Sequence, residues 1–351
     1  MQTAASSSRP FLPEARHVPP ASEMAIIARL LLTHNADFSA MSDVAEQRQM
    51  PARVRLALKA AVGAASLAGT PALAEISANF AAALKSVSAF DWLLDGGAVR
   101  LPLNTRLIAS TTVPQGYAVG EGKAKPVSRL SLKQSDMALH KTSCVLVVST
   151  ELSRSAEPGA QGLIGTELRG GVSAATNTAF FDPVSGILAG ITPIPSTGNP
   201  VGDLDAALGA VDLGEGSAPV WITTPAIAKR LSTWTGGGPS LMFPSMGPQG
   251  GELVNLPAIV SSALPTGHLV LLDAAGVGLA DAGIELDKAT SADVEMLDNP
   301  VGDGVTPVGA TSMMSLWQMN CVGLRAERQI SWLRLRDRAI STISGIAWTA
   351  P

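Results

Sequence analysis

Between Pro158 and Phe180 the apolar residues recur at helical spacing: Leu163, Ile164, Leu168, Val172, Ala175, Ala179 and Phe180 fall on one stripe. Glu157-Pro158 suits a helix start, with an acid near the positive end of the dipole and proline in the first turn. Asp182-Pro183 ends the run, because the residue before a proline is pushed out of the helical region. The pattern predicts one long packing helix, about 158–181, with nothing catalytic displayed on it.

Upstream the period changes from helical to alternating. Val113 to Val119 and Val127 to Leu132 are short alternating runs that flank Gly120, Glu121, Gly122, Lys123, Ala124, Lys125 and Pro126. Glycine permits a tight reversal and Pro126 removes a ladder donor, so these residues form the tip of a hairpin. With a charged tip and thin apolar content, the arm is stable only when it lies on another surface. A β-run, "MALHKTSCVLVVSTEL", leads from the arm to the helix.

The flanks are simpler. Met1 to Pro20, rich in Ser, Pro and Ala, predicts disorder or an extended tail. "SEMAIIARLLLTH" predicts a helix with Met24, Ile27, Leu30 and Leu31 on its apolar face. Two Ala-rich helical segments follow, Pro51 to Ala68 and Pro71 to Val87. "TPIPSTGNP" is the expected sub-domain boundary. Beyond it come a short helix from Asp203 to Val211, then a helix capped by Thr224 with Pro225 at its first position. Strands are expected in "PAIVSSAL", "HLVLLDAAGVGLA" and "IELDKATSADVEML". Met313 to Trp348 reads as long strands in which apolar residues alternate against Arg325, Glu327, Arg334 and Arg336. The class is α+β.

Composition narrows the function by exclusion. A chain of 351 residues with 46% apolar content can build two sub-domains with a core. A net charge of −4 and a pI near 5.6 give no basic footprint for nucleic-acid recognition. Cys144 and Cys321 sit singly in apolar runs and predict buried free thiols. No run reaches the roughly 18 apolar residues of a membrane span. "MPARVRLALKAAVGAASLAGTPALAEIS" has the look of a secretory signal, but it is internal and Lys59 interrupts it.

Catalytic motifs are missing as well. His17, His34, His140 and His268 are scattered without a second ligand at metal spacing. "GEGKAKP" lacks the spacing and hydroxyl of a P-loop, and the third glycine of "GVGLADAG" comes too late for a dinucleotide fingerprint. Asp136 and His140 share a strand face from which Ser143 points away, so they form no triad. No catalytic, cofactor or metal residue is expected.

The ordered set "GEGKAKPVSRLSLKQ", a strand ending "VVSTELSRSA", a long helix and "DPVSGILAG" resembles the major capsid proteins of tailed bacteriophages, the Hong Kong 97 fold. "NCVGLRAERQISW" resembles the family's late β-strand, and the likeness runs from about Leu101 to Trp348. It implies an N-terminal arm or scaffolding segment over 1–95. An E-loop (about 113–136) and a P-domain with its spine helix would fill 96–200. An A-domain would take 201–310, with return strands over 311–351.

The implied function is structural: copies form pentamers and hexamers of an icosahedral viral head that encloses double-stranded DNA without sequence-specific binding. Further implied partners are a portal and a scaffold or maturation protease, with assembly in the bacterial host cytoplasm and no membrane. The alternatives are the shell of a gene-transfer particle or an encapsulin-like nanocompartment, and, from another class, a soluble α/β enzyme. The tip residues Gly120, Glu121, Gly122, Lys123, Lys125 and Pro126 are the implied assembly contacts. Lys133 stands where some members carry a cross-linking lysine, near whose asparagine partner this chain has Asn320. Ala326 falls at the place of the assisting acid, so the expectation is a subunit that does not cross-link itself.

Overall fold

The stripe of apolar residues after Pro158 does form the longest helix among the described residues. The computed structural model describes residues 20–34, 37–64, 76, 88–103, 106–110, 118–119, 121, 132–151, 158–235, 240–296 and 313–348. Its helices are α1 (Pro20–His34), α2 (Phe38–Gln47), α3 (Ala52–Ala64), α4 (Ala89–Asp95), α5 (Pro158–Phe180), α6 (Pro200–Ala210) and α7 (Pro225–Ser232). Helices and sheets are both extensive, so the α+β expectation holds.

Helix α5 lies on a four-stranded sheet. Its strands run in the order Val99–Arg100, Val277–Ala289, Cys321–Arg334 and His140–Ser149. The first pair is parallel and the others antiparallel. Ile164, Leu168 and Val172 of α5 meet Val148, Ile284, Val322, Leu324 and Ala326 of the sheet. Met24, Ile27, Leu30 and Leu31 of α1 enter the same core, so the N-terminal helices are built into it. The α1–α5 crossing is tight: a Cβ on Gly165 would stand 2.8 Å from the Ala25 methyl.

A seven-stranded sheet forms the second unit. Its order is Ile194–Pro195, Ile340–Ser344, Leu269–Asp273, Pro219–Thr223, Leu256–Val260, Gly250–Leu253 and Met246–Gly247. Leu269–Asp273 is buried at every position, as a central strand covered on both faces must be. Leu204, Ala207 and Leu231 pack on one face with Trp221 and Trp348. On the other face Val220, Ile222, Val270 and Leu272 meet Phe90, Phe180, Leu279 and Trp332, which joins the two sheets through one core.

Some sequence expectations need correction. Helix α6 starts at Pro200 rather than Asp203, because the Asn199 side chain accepts from the Val201 amide and proline fits the first helical position. Thr224 precedes α7 as expected, yet its side chain makes no cap hydrogen bond. Cys144 and Cys321 are free thiols but only half-buried. "IELDKATSADVEML" is not one strand: Val277–Ala289 ends, and the chain resumes pairing at Asp293–Glu295. The tail before Pro20 lies outside the described residues, as does the second Ala-rich segment apart from Ile76.

Candidate assembly surfaces

The alternation of the Cys321–Arg334 strand sorts its residues between two faces. Val322, Leu324 and Ala326 point to the α1–α5 core, and Gly323, Arg325 and Glu327 point away from it. On that outer face Arg325 lies between Asp287 and Val145, and Glu327 lies between Glu285 and Ser143. Arg325 reaches Asp287 at 2.9 Å and Glu327 at 3.2 Å, and Lys141 reaches Glu327 at 2.7 Å. Such exposed pairs add little stability, so this charged ladder is chiefly a solvated face.

Towards the far end of the strands the face becomes concave and apolar. An open groove of about 810 Å³ is bounded by Val145, Val147, Asp287, Asp293, Met296 and Arg325. Beside it, Asp293–Glu295 pairs with Met313–Ser315 as a short ribbon. Met296, Met313, Trp317 and Met319 are exposed in this region, and Trp317 shows 76% of its surface to solvent. An exposed tryptophan among methionines is the kind of apolar patch that marks an interaction surface.

The turn carrying Trp317 is firmly held. Leu316 is fully buried, and the Asn320 carbonyl accepts from the Thr150 amide at 2.9 Å and the Thr150 hydroxyl at 2.8 Å. Asn320 itself has φ 51°, a left-handed conformation that asparagine tolerates better than most residues. The exposed ring thus projects from an anchored turn.

A buried ion network ties α4 to this sheet. Arg328 donates through Nη1 and Nη2 to Asp91 at 3.0 and 2.6 Å, and through Nε and Nη2 to Asp281 at 3.0 and 2.8 Å. Arg328 is 1% exposed and lies 5.3 Å from the centre of the Phe90 ring. Burial acts against its charge, but the hydrogen bonds and attraction of Asp281 and Asp91 win, so its pKa rises above the ordinary value. Sequence reading missed this residue. The available signal was parity: Arg328 has the same parity as Val322, Leu324, Ala326 and Ile330, and a charge on an apolar face must have partners.

Of the expected assembly residues, Glu121 is exposed. Lys133 belongs to Leu132–Asp136, which pairs with Arg106–Ser110 and sets Lys133 opposite Ala109. Gly120, Gly122, Lys123, Lys125 and Pro126 lie outside the described residues. Ala326 is buried on the inner face, pointing away from solvent. His140 stacks on Trp332 with ring centres 3.9 Å apart, while Ser143 lines the outer groove, so the two are not brought together. Burial lowers the His140 pKa, and Asp182 offsets part of that shift. Among the described residues no group of His, Cys, Asp and Glu could hold a metal ion, and no helix is long and apolar enough to cross a membrane.

Comparison with known proteins gives a consistent answer. Residues 70–301 match the model of the phage capsid family. The chain is 32% identical over 271 residues to the capsid polyprotein of Pseudomonas phage PAJU2. That alignment takes in 72% of this chain and 40% of the relative, so the chain spans well under half the length of the curated protein it matches. Among solved structures, a chain of Gordonia phage Cozz aligns over 73% of this chain and 86% of its own, with a TM-score of 0.49 and 17% identity. A chain of Mycobacterium phage Ogopogo aligns over 74% and 91%, with a TM-score of 0.48 and 19% identity. The family model covers about two thirds of the sequence, including α5 and most of both sheets, and the chain belongs to the phage capsid family.

Proposed function

We propose that this chain is the major capsid protein of a tailed phage, a structural subunit and not an enzyme, whose copies form the pentamers and hexamers of an icosahedral head. The observation that carries the reading is the family match over residues 70–301, which contains the segments whose order resembles that family. On this reading 96–200 is the E-loop and P-domain with α5 as the spine, 201–310 is the A-domain, and 311–351 returns to both. Five strands of the seven-stranded sheet come from the 201–310 region and its Ile340–Ser344 strand supplies the return, while Val277–Ala289 of the same region pairs into the four-stranded sheet and Ile194–Pro195 of the preceding region joins the larger one. A hairpin arm with a charged tip and little apolar content gains order by lying across a neighbouring subunit. Each such contact is weak, and closed symmetry sums many of them into a stable shell. The slightly acidic chain suits a container that encloses DNA without gripping it.

The test is to delete residues 116–133 and image the expressed protein by electron microscopy. The reading expects a folded, soluble subunit that cannot close shells beside a wild type that can. Normal shells from the deletion would contradict the arm assignment.

A further inference from the structure

Helix α1 has almost no surface of its own. From Glu23 to Leu32 every residue is buried except Arg29, which is half-buried. A surface helix keeps a polar face, whereas a helix that is apolar all round belongs to a core. Helix α1 crosses α5 at the close approach of Ala25 and Gly165. It also contacts α2 and α3, whose Met41, Ala45, Val54, Leu58 and Ala61 are fully buried in the same core.

Polar contacts fasten this unit at its ends. Lys288 Nζ, from the Val277–Ala289 strand, donates to the Leu32 carbonyl at 2.9 Å. That carbonyl belongs to the last turn of α1, which has no helical partner to offer it, and a cation there also suits the negative end of the helix dipole. Asp37 caps α2 by accepting from the Ser39 and Ala40 amides. Arg55 closes the α2–α3 turn, donating to the Met50 carbonyl at 3.0 Å and to Glu46 at 3.2 Å.

Helices α1 to α3 all precede residues 70–301, the part of the chain that matches the family model. The resemblance offered two roles for 1–95, an arm or a scaffolding segment, and the core decides between them for 20–64. Shedding α1 to α3 would uncover Ile164, Leu168 and Val172 of α5, none of them more than 3% exposed, and would strand Lys288. We propose that residues 20–64 are a permanent clamp across α5, kept by the subunit even when the chain is cut between α3 and α4. The proposal rests on the capsid reading for its alternative, a scaffold segment that assembly sheds, while the clamp itself stands on the shared core. A cut removes the covalent link and leaves the buried apolar contact, which resembles a domain core divided in two, as in obligate complexes.

Cutting the full-length chain tests this. A Gly/Ser linker carrying the site of a specific protease is inserted between Thr70 and Pro71, at the break between the two Ala-rich segments. After complete cleavage the two pieces should co-elute in size-exclusion chromatography in about nine molecules of ten or more, and separate only in denaturant. An N-terminal piece that elutes apart overturns the proposal, whatever the state of the remainder. Hydrogen exchange of the uncut chain is the second readout. Amides of 24–32 should exchange as slowly as those of 164–172, within about tenfold, and a wider gap overturns the proposal. Retention of the piece by a chain that forms no shells upholds the clamp and contradicts the capsid reading instead.

Discussion

Arg328 Nη2 lies 2.6 Å from Asp91 Oδ1, a contact between residues 237 positions apart that pins α4 to the longest strand of the sheet. Replacing Arg328 by Met should destabilise the subunit by about 3–5 kcal/mol, because two carboxylates would stay buried without a cation. Chemical unfolding of the purified subunit measures this. Exchanging Arg328, Asp91 and Asp281 together for apolar residues of similar volume should cost much less, since no charge is then stranded. Equal losses in both variants would mean that shape, and not charge, makes the contact.

How much of this was legible follows from which signals are local. Helix α5 was readable because Pro158, the apolar stripe and Asp182-Pro183 mark its start, face and end within one window. Arg328 was not, because its partners sit on α4 and on a strand 47 residues upstream, and a lone arginine in "RAERQISW" looks like one more solvated charge. The start of α6 is hard to place from sequence because Asn199-Pro200 both closes the connector "TPIPSTGNP" and supplies the helix cap and its first residue. The outer groove was invisible for a different reason. It is made by register between distant strands, with Asp287, Arg325 and Val145 brought level only by pairing.

Gly171 packs where α5 crosses the His140–Ser149 strand, and a Cβ there would run into the Cys144 sulfur. Gly171→Ala should therefore cost about 1–3 kcal/mol despite the better helix propensity of alanine. Cys144→Ala in the same chain should recover a large part of that loss, because the two sites compete for one volume. Thermal unfolding of the two single variants and the double variant gives the coupling directly. Simple additivity would count against the close approach.

The two proline-started helices of the second unit should respond differently to loss of the preceding residue. Asn199 accepts from the Val201 amide at 3.2 Å, so Asn199→Ala should cost about 1 kcal/mol. The Thr224 hydroxyl is buried with no hydrogen-bond partner, so Thr224→Val should stay within about 0.5 kcal/mol of wild type or gain slightly. Denaturant midpoints of the two variants compare them. A large loss at Thr224 would show that its hydroxyl is satisfied after all.

Asp203 anchors the end of the chain. It accepts from Ser196 Oγ and Thr197 Oγ1 at 2.6 Å, the Thr197 amide at 2.8 Å and Trp348 Nε1 at 2.7 Å. Burial raises its pKa, but these hydrogen bonds outweigh that effect and hold the carboxyl below its ordinary value. The unfolded chain then binds the proton more readily. The stabilisation is complete above the usual carboxylate pKa, about 3.9, and is lost as pH falls through the lower folded value. Asp203→Asn should be less stable than wild type at neutral pH, and the gap should close in acid. Melting curves over that range, followed by tryptophan fluorescence, would show it, and a gap independent of pH would contradict the argument.

The most direct measurement is the size distribution of the purified full-length chain by sedimentation velocity, with electron microscopy of the fractions. The account predicts rings of five or six subunits or closed shells. A chain that remains a monomer, even after co-expression with scaffold and protease partners, would contradict it.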